Sequence, residues 1–264
     1  MRSFDRVVLM AVFVAWFSSP LVGQPPDAAQ VLAAARGALG GEAKLAAVRT
    51  FVITGRTRQL RGNNLVPIEF EIDCELPDKF VRTDDFPAQD TDPTTVGFNG
   101  EALIQVPPAP RAPAAPAARS DGPGGGRPGG SPRFLGVKQD FARLTLGMFA
   151  ASFAGYPLTF KYAAEAEAPE GKADVLDVSG AANFAARFVV QRETHLPVML
   201  MWQVPAQPKP IEHRMYYADF RNVDGLKLPF RIRRAVGGET VEETTVDRIK
   251  INVKIDPRKF EVPK

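Results

Sequence analysis

Apolar and polar residues alternate over short stretches along most of the chain, and this period of two predicts β-strands. Residues 68–76 give the clearest example, where Ile68, Phe70 and Ile72 alternate with glutamate and aspartate. Residues 226–233 repeat the pattern, with leucine, phenylalanine and isoleucine on one side of an extended chain. A strand with one apolar and one polar face is typical of an antiparallel sheet with one buried side.

The alternating stretches follow one another with short turns between them. Five predicted strands precede residue 107, and seven follow residue 132. Asn99-Gly100 lies between two of them and is a strong signal for a tight hairpin. Consecutive strands joined by turns favour a meander, so the fold class is predicted to be mainly β (α+β), with one long antiparallel sheet.

Two stretches have helical spacing instead. Asp27 can cap a helix that ends before Gly40-Gly41. Ser131 can cap a second helix whose first residue is Pro132. The second helix carries apolar residues at steps of three and four, and these cover more than half of its circumference. We therefore expect it to be enclosed by something larger than one flat sheet face.

Residues 107–132 differ sharply from both flanks. They are rich in proline, glycine and alanine and contain no aromatic or large aliphatic residue. Such a segment cannot bury enough apolar surface to offset the entropy of ordering it, so we expect it to be disordered. Each flank alone resembles an incomplete sheet, which favours an insert within a single domain of residues 24–264. A linker between two domains is the alternative.

The first residues are typical of an export signal. Arg2 and Arg6 precede an apolar run over residues 7–17, and small residues follow it. The run is shorter than the roughly 20 residues of a membrane-spanning helix. We expect residues 1–23 to be a signal peptide cleaved after Gly23, which predicts a periplasmic protein; an uncleaved N-terminal anchor is the alternative.

Charge and cysteine content narrow the function classes. The chain has 33 basic and 30 acidic residues, with a formal net charge of +3. This near balance argues against a nucleic-acid binder, which normally concentrates basic charge. Cys74 is the only cysteine, so no internal disulfide can form, and its place on an apolar strand face predicts a buried, unreactive thiol.

No stretch carries a recognisable catalytic or metal-binding motif. His195 and His213 are the only histidines and lack the spacing of a zinc site, and there is no G-x-S-x-G element. The acidic residues of the 69–75 strand could supply a glycosidase pair by residue type. Their strict alternation favours a solvated outer face instead. We therefore predict no enzyme activity, no catalytic residue, no metal and no cofactor.

Four stretches resemble exported bacterial proteins related to the outer-membrane lipoprotein carriers, the LolA/LolB-like superfamily. They are "LAAARGALGGEAKLAAVRTF", "PDKFVR", "YYADFRNVDGLKLPFRI" and "INVKIDPRKFEVP". The resemblance covers nearly all of the chain after the signal except the insert, and it lies in strands and turns. It implies a meander curved into a half-open barrel, with an N-terminal helix and a mid-chain helix on the concave side.

The resemblance also implies a function. In such carriers the concave face binds acyl chains during transit across the periplasm, so a lipid or an acylated lipoprotein is the expected partner. The long insert departs from the dedicated carriers, and no residue here matches their cargo-release machinery, which leaves lipoprotein sorting itself open. The predicted lining assumes that even-numbered strand positions face inward. It comprises Phe70, Ile72, Phe141, Leu144, Met148, Leu200, Trp202, Leu228 and Phe230. The helix around Phe141 would then act as a lid or plug.

The same sequence pattern fits other functions. The same fold could serve a non-enzymatic structural or regulatory protein of the cell envelope that docks a protein partner. Arg231 and Arg233 are predicted on the face opposite the cavity, where solvation is the favoured interpretation and contact with an anionic membrane surface or a partner is the alternative. A hydrolase would need a buried polar pair in the concavity.

Overall fold

In the computed structural model, residues 27–108, 131–168 and 171–263 are described. The predicted signal peptide and residues 109–130 of the predicted insert lie outside these ranges. No helix in the described ranges is long and apolar enough to cross a membrane.

The described residues form three α-helices, twelve strands and one short 3-10 turn. The helices are α1 (Ala28–Leu39), α2 (Glu42–Ala46) and α3 (Pro132–Phe149), and the 3-10 turn is Pro257–Phe260. The strands are β1 (Thr50–Arg61), β2 (Asn64–Glu75), β3 (Lys79–Asp85), β4 (Thr94–Asn99), β5 (Ala102–Val106), β6 (Leu158–Ala168), β7 (Gly171–Gly180), β8 (Phe184–Gln191), β9 (Pro197–Val204), β10 (Ile211–Val223), β11 (Leu226–Val236) and β12 (Glu239–Ile251).

All twelve strands belong to one antiparallel sheet in the order β5-β4-β3-β2-β1-β12-β11-β10-β9-β8-β7-β6. The chain runs outward from β1 to β5, crosses to the far edge, and returns from β6 to β12. The first and last strands therefore pair at the centre, with Thr57 opposite Thr244. The prediction of a mainly β meander in a half-open barrel, with helices on its concave side, is confirmed.

The first helix begins and ends where its sequence predicts. The Asp27 side chain accepts a hydrogen bond from the Gln30 backbone N–H, and the Gln30 side chain accepts one from the Asp27 N–H. This reciprocal pair satisfies two donors that a helix start leaves free. Gly40 ends the helix with a φ of 134°, and a Cβ there would lie 2.6 Å from the Gly225 carbonyl oxygen. Only glycine fits that turn.

The mid-chain helix α3 lies across the concave face and contacts β4 on one side and β9 and β11 on the other. Ser131 Oγ accepts from the Phe134 N–H at 3.3 Å, and Pro132 is the first helical residue, both as predicted. The sequence groups Lys138 and Arg143 with the polar residues of the helix, yet both side chains are buried. The helix is therefore enclosed on nearly every side, more fully than its apolar pattern indicates.

Phe141 anchors α3 within a cluster of aromatic rings. Its ring centroid lies 5.4 Å from that of Phe98 and 5.8 Å from that of Phe80, and both pairs meet edge to face. Phe153 adds a third edge contact at 6.1 Å. Aromatic pairs in this geometry contribute about 0.5–1.5 kcal/mol each beyond the area they bury. The cluster therefore fixes the depth at which the helix lies.

The outer face of β2 differs from its prediction at one residue. The sequence predicts a solvated acidic face over residues 69–75, but Asp73 is buried because the C-terminal 3-10 turn covers it. Lys259 Nζ lies 2.7 Å from Asp73 Oδ2, and burial raises the pKa of this carboxyl while the ammonium opposes the shift. Phe260 packs beside the pair against Val81 and Ile104.

Cys74 is a buried free thiol, as predicted. It lies between Phe51 of β1 and Phe80 of β3 across the sheet. Burial raises the pKa of the thiol well above its usual range, and the neighbouring carboxylates Asp73 and Glu75 raise it further. Because the thiolate is the reactive form, this cysteine is unreactive in the folded protein.

Gly147 allows α3 to approach the sheet closely. A Cβ at this position would lie 2.2 Å from the Tyr217 ring, whereas a Cβ at Gly136 on the same helix meets nothing within 4 Å. We expect Gly147→Ala to lower the free energy of unfolding by about 1–3 kcal/mol because the helix must shift away from Tyr217. Thermal and urea denaturation measure the change.

Gly136→Ala is the matched control. It makes the same substitution in the same helix, and alanine's higher helix propensity should stabilise the protein by up to about 1 kcal/mol. Equal melting temperatures for the two variants would show that the contact with Tyr217 does not limit the helix position.

Candidate functional site

A cavity of about 370 Å³ lies between α3 and the concave face of the sheet. Its apolar lining comes from β1 to β4, from α3 and from β10 to β12. These residues are Ile53, Ile68, Phe70, Ile72, Phe80, Val96, Val137, Leu144, Met148, Met215, Pro229, Ile232 and Val246. A concave, mainly apolar space of this size falls in the range of small-molecule sites, which is about 300–1,000 Å³.

Phe70 forms the centre of one wall of the cavity. Its partner across the sheet is Gly55, where a Cβ would lie 2.9 Å from the tip of the Phe70 ring. The missing side chain at Gly55 therefore lets the ring lie against β1. The guanidinium of Arg82 covers the ring from the other side, with its Cζ 4.8 Å from the ring centroid.

The structure separates the nine predicted lining residues into three groups. All nine belong to one apolar cluster between the helices and the sheet, so the even-numbered positions of β2, β9 and β11 that were assumed to face inward do so. The cavity is bordered by Phe70, Ile72, Leu144 and Met148. Phe141, Leu200, Leu228 and Phe230 are buried in packed core away from the cavity, and Trp202 borders a second depression. A role in ligand binding stays a prediction for each of them.

The second depression, here called the outer groove, lies between α3 and strands β8 and β9. Its Arg143 side chain is buried and stacks on Trp202, with Cζ 4.4 Å from the ring centroid. The Trp202 ring lies 5.4 Å from that of His213. Burial lowers the pKa of His213, and the positive charges of Arg234 and Arg143 lower it further. Trp202 therefore packs mainly against the Arg143 guanidinium and the His213 ring.

The sequence reasoning missed the polar residues of the cavity. They are Gln59, Arg61, Arg82, Asp84, Asp140, Arg234, Glu242 and Thr244. One signal could have found some of them, because Arg82 is in phase with Phe80 and Arg234 is in phase with Ile232 on the inward side of their strands. A charged residue in phase with a buried face indicates a place where that face is no longer dry core. Among the described residues, no group of three or more histidine, cysteine, aspartate or glutamate side chains is placed to hold a metal ion.

Solved structures with the same arrangement exist. A LolA superfamily protein from Nitrosomonas europaea is similar over 90% of this chain and 98% of its own, with a TM-score of 0.57 and 13% sequence identity. A DUF1329 family protein from Desulfovibrio piger is similar over 88% of this chain and 95% of its own, with a TM-score of 0.52 and 10% identity. The chain has the LolA-superfamily fold. No family model matches the amino-acid sequence, and no curated protein matches it either.

Within this fold, α3 is tied to the sheet by a hydrogen bond and an ion pair as well as by apolar packing. The buried Tyr217 hydroxyl donates to the Arg143 carbonyl oxygen at 2.6 Å. Near the start of the helix, Lys138 Nζ lies 2.6 Å from Glu101 Oε1 on the β4–β5 turn. The two contacts fix the helix to opposite arms of the sheet, so any movement of α3 must break at least one of them.

We expect Tyr217→Phe to lower the free energy of unfolding by about 1 kcal/mol, because it removes one buried hydrogen bond while keeping the ring. Amide hydrogen exchange in α3 should speed up, since the lost bond holds this helix to the sheet. Tyr216→Phe is the control, because that hydroxyl interacts with Arg214 instead of the helix. Unchanged exchange in α3 with Tyr217→Phe would show that the hydroxyl does not hold the helix.

Proposed function

We propose that this protein is a periplasmic binding or carrier protein for acyl chains of a lipid or a lipoprotein. The observation that carries the proposal is the apolar cavity of about 370 Å³ enclosed between α3 and the concave sheet. The LolA-superfamily fold supports it, because the resemblance noted above implies acyl binding on this face. The proposal includes export through a signal peptide over residues 1–23 and a single mature domain. It assigns no catalytic activity.

Binding would draw on the hydrophobic effect. An acyl chain that leaves water for the cavity gains about 0.8 kcal/mol for each methylene buried. Phe70, Ile72, Leu144 and Met148 would supply much of the contact surface, because they border the cavity from both the sheet and the helix. Met148 is flexible and polarizable, which suits a wall that must adapt to a chain.

Helix α3 would act as the movable wall. A ligand that enters must replace contacts between the helix and the sheet, so protein contacts are exchanged for lipid contacts and loading is reversible. Phe141 sets the cost of opening, because its fully buried ring would leave the aromatic cluster. Phe141 is therefore assigned to holding α3 in place, while Leu144, about one turn later and only partly buried, is assigned to the ligand.

The first experiment is native mass spectrometry of the exported protein purified from an envelope fraction, followed by solvent extraction and identification of bound material. A stoichiometric lipid or acylated peptide supports the carrier function. An unliganded mass that does not change after incubation with lipids and lipoproteins would contradict it and favour docking of a protein partner.

A variant that fills the cavity tests the location of the site. We expect Leu144→Trp to reduce acyl binding at least tenfold, because the indole would occupy the space that the chain needs. The control is Leu135→Trp on the same helix, a residue that is also partly buried but does not border the cavity. Titration with palmitate and hexadecanol measures both, and circular dichroism checks that each variant folds. Equal loss of binding in the two variants would place the ligand elsewhere.

A further inference from the structure

A line of hydrogen-bonded polar side chains crosses the cavity wall where β1, β12 and β11 lie side by side. Arg61 Nε donates to Gln59 Oε1 at 2.7 Å, and Gln59 Nε2 donates to Glu242 Oε2 at 3.0 Å. Arg234 then donates to the same Glu242 oxygen at 3.1 Å. All four residues border the cavity. We call this set, Arg61, Gln59, Glu242 and Arg234, the guanidinium rim.

The guanidinium rim carries more positive than negative charge. Two guanidinium groups flank a single carboxylate, and Arg61 pairs with no carboxylate in the described ranges. The other acidic residues of the cavity already have arginine partners: Asp84 binds Arg82 at 2.7 Å, and Asp140 binds Arg143 at 2.7 Å. The cavity therefore offers one cation, Arg61, that forms no ion pair within the part of the chain that the structure describes.

The hydrogen-bonding capacity of the rim is also incomplete. Arg234 Nε is buried and has no hydrogen-bond partner among the described residues. A buried guanidinium N–H without an acceptor is costly, so this position favours the arrival of another acceptor nearby. Arg61 is held at the rim from its outer side, where its Cζ lies 5.1 Å from the Phe86 ring centroid. The two arginine side chains are thus held at the cavity wall although their hydrogen-bonding capacity is not filled.

We propose that the ligand is an amphiphile with an anionic head group, a carboxylate or a phosphate, which lies against Arg61 and Arg234 while its tail fills the cavity beside Phe70. This proposal rests on the proposed acyl-binding function and names the ligand class of that same site. Arginine presents paired N–H donors that match the oxygens of a carboxylate or phosphate. Arg82 completes the transition from head to tail, since its guanidinium covers the apolar Phe70 ring.

The volume of the cavity matches a ligand with a single acyl chain. At about 370 Å³ it lies near the lower end of small-molecule sites. A single-chain acid is therefore a better match than a cargo that carries several acyl chains at once. The proposed acyl-binding function leaves two ligand classes open, a lipid and a lipoprotein. The guanidinium rim and the cavity size together favour the lipid, as a fatty acid or a lysolipid acid.

The test compares head groups at constant tail. Palmitate, palmitoyl lysophosphatidate and hexadecanol are titrated into the full exported protein at about pH 8, where carboxylic acids are ionised. We expect either acid to bind at least tenfold more tightly than the alcohol, and added salt to weaken only the acids. Preference for palmitate identifies a carboxylate head, and preference for lysophosphatidate identifies a phosphate head.

A double variant, Arg61→Gln with Arg234→Gln, should lower acid affinity about tenfold and leave hexadecanol affinity unchanged. Arg58→Gln with Arg231→Gln removes the same charge from two exposed residues that do not border the cavity, and it should change neither affinity. Equal binding of acid and alcohol would overturn the anionic head group but leave the acyl-binding function intact. Failure of all three amphiphiles to bind would overturn the acyl-binding function and this proposal with it.

Discussion

The structure depends on the packing of α3 against the concave face of an open twelve-stranded sheet. A sheet with one apolar face and two free edges would expose a large apolar surface to water unless another element covered it. The covering helix comes from the connection between the two edge strands, so it reaches both arms. Phe141 joins it to the aromatic rings of one arm, and Tyr217 bonds it to the other.

The same packing explains why a cavity exists where it does. At Gly147 the helix lies against Tyr217 with no room for even one carbon atom. Toward the ends of β1 and β12, the inward positions carry Gln59 and Glu242 in place of large apolar residues. These polar side chains form a hydrogen bond with each other and do not fill the space between the sheet and the helix. The cavity is therefore bordered by apolar side chains on one side and by polar and charged side chains on the other.

Much of the fold follows from the sequence, because alternation and capping are local signals. The twelve strands, the Asp27 and Ser131 caps and the inward positions were predictable in this way. The border of the cavity was not, since Ile72 and Leu228 hold equivalent inward positions on alternating strands, yet only Ile72 borders the cavity. The burial of Asp73 escaped prediction for a similar reason: its partner Lys259 lies far along the chain.

The pairing of β1 with β12 has a consequence for how the protein acquires its structure. The central seam of the sheet joins residues 51–59 to residues 242–251, and neither half can complete its core without the other. Pairings between residues so distant in sequence slow folding, because a long loop must lose entropy on closing before the new contacts can stabilise it. A chain with this topology cannot complete its core until nearly all of it is available to fold. If the chain is exported as proposed, that delay would leave it unfolded while it crosses the membrane.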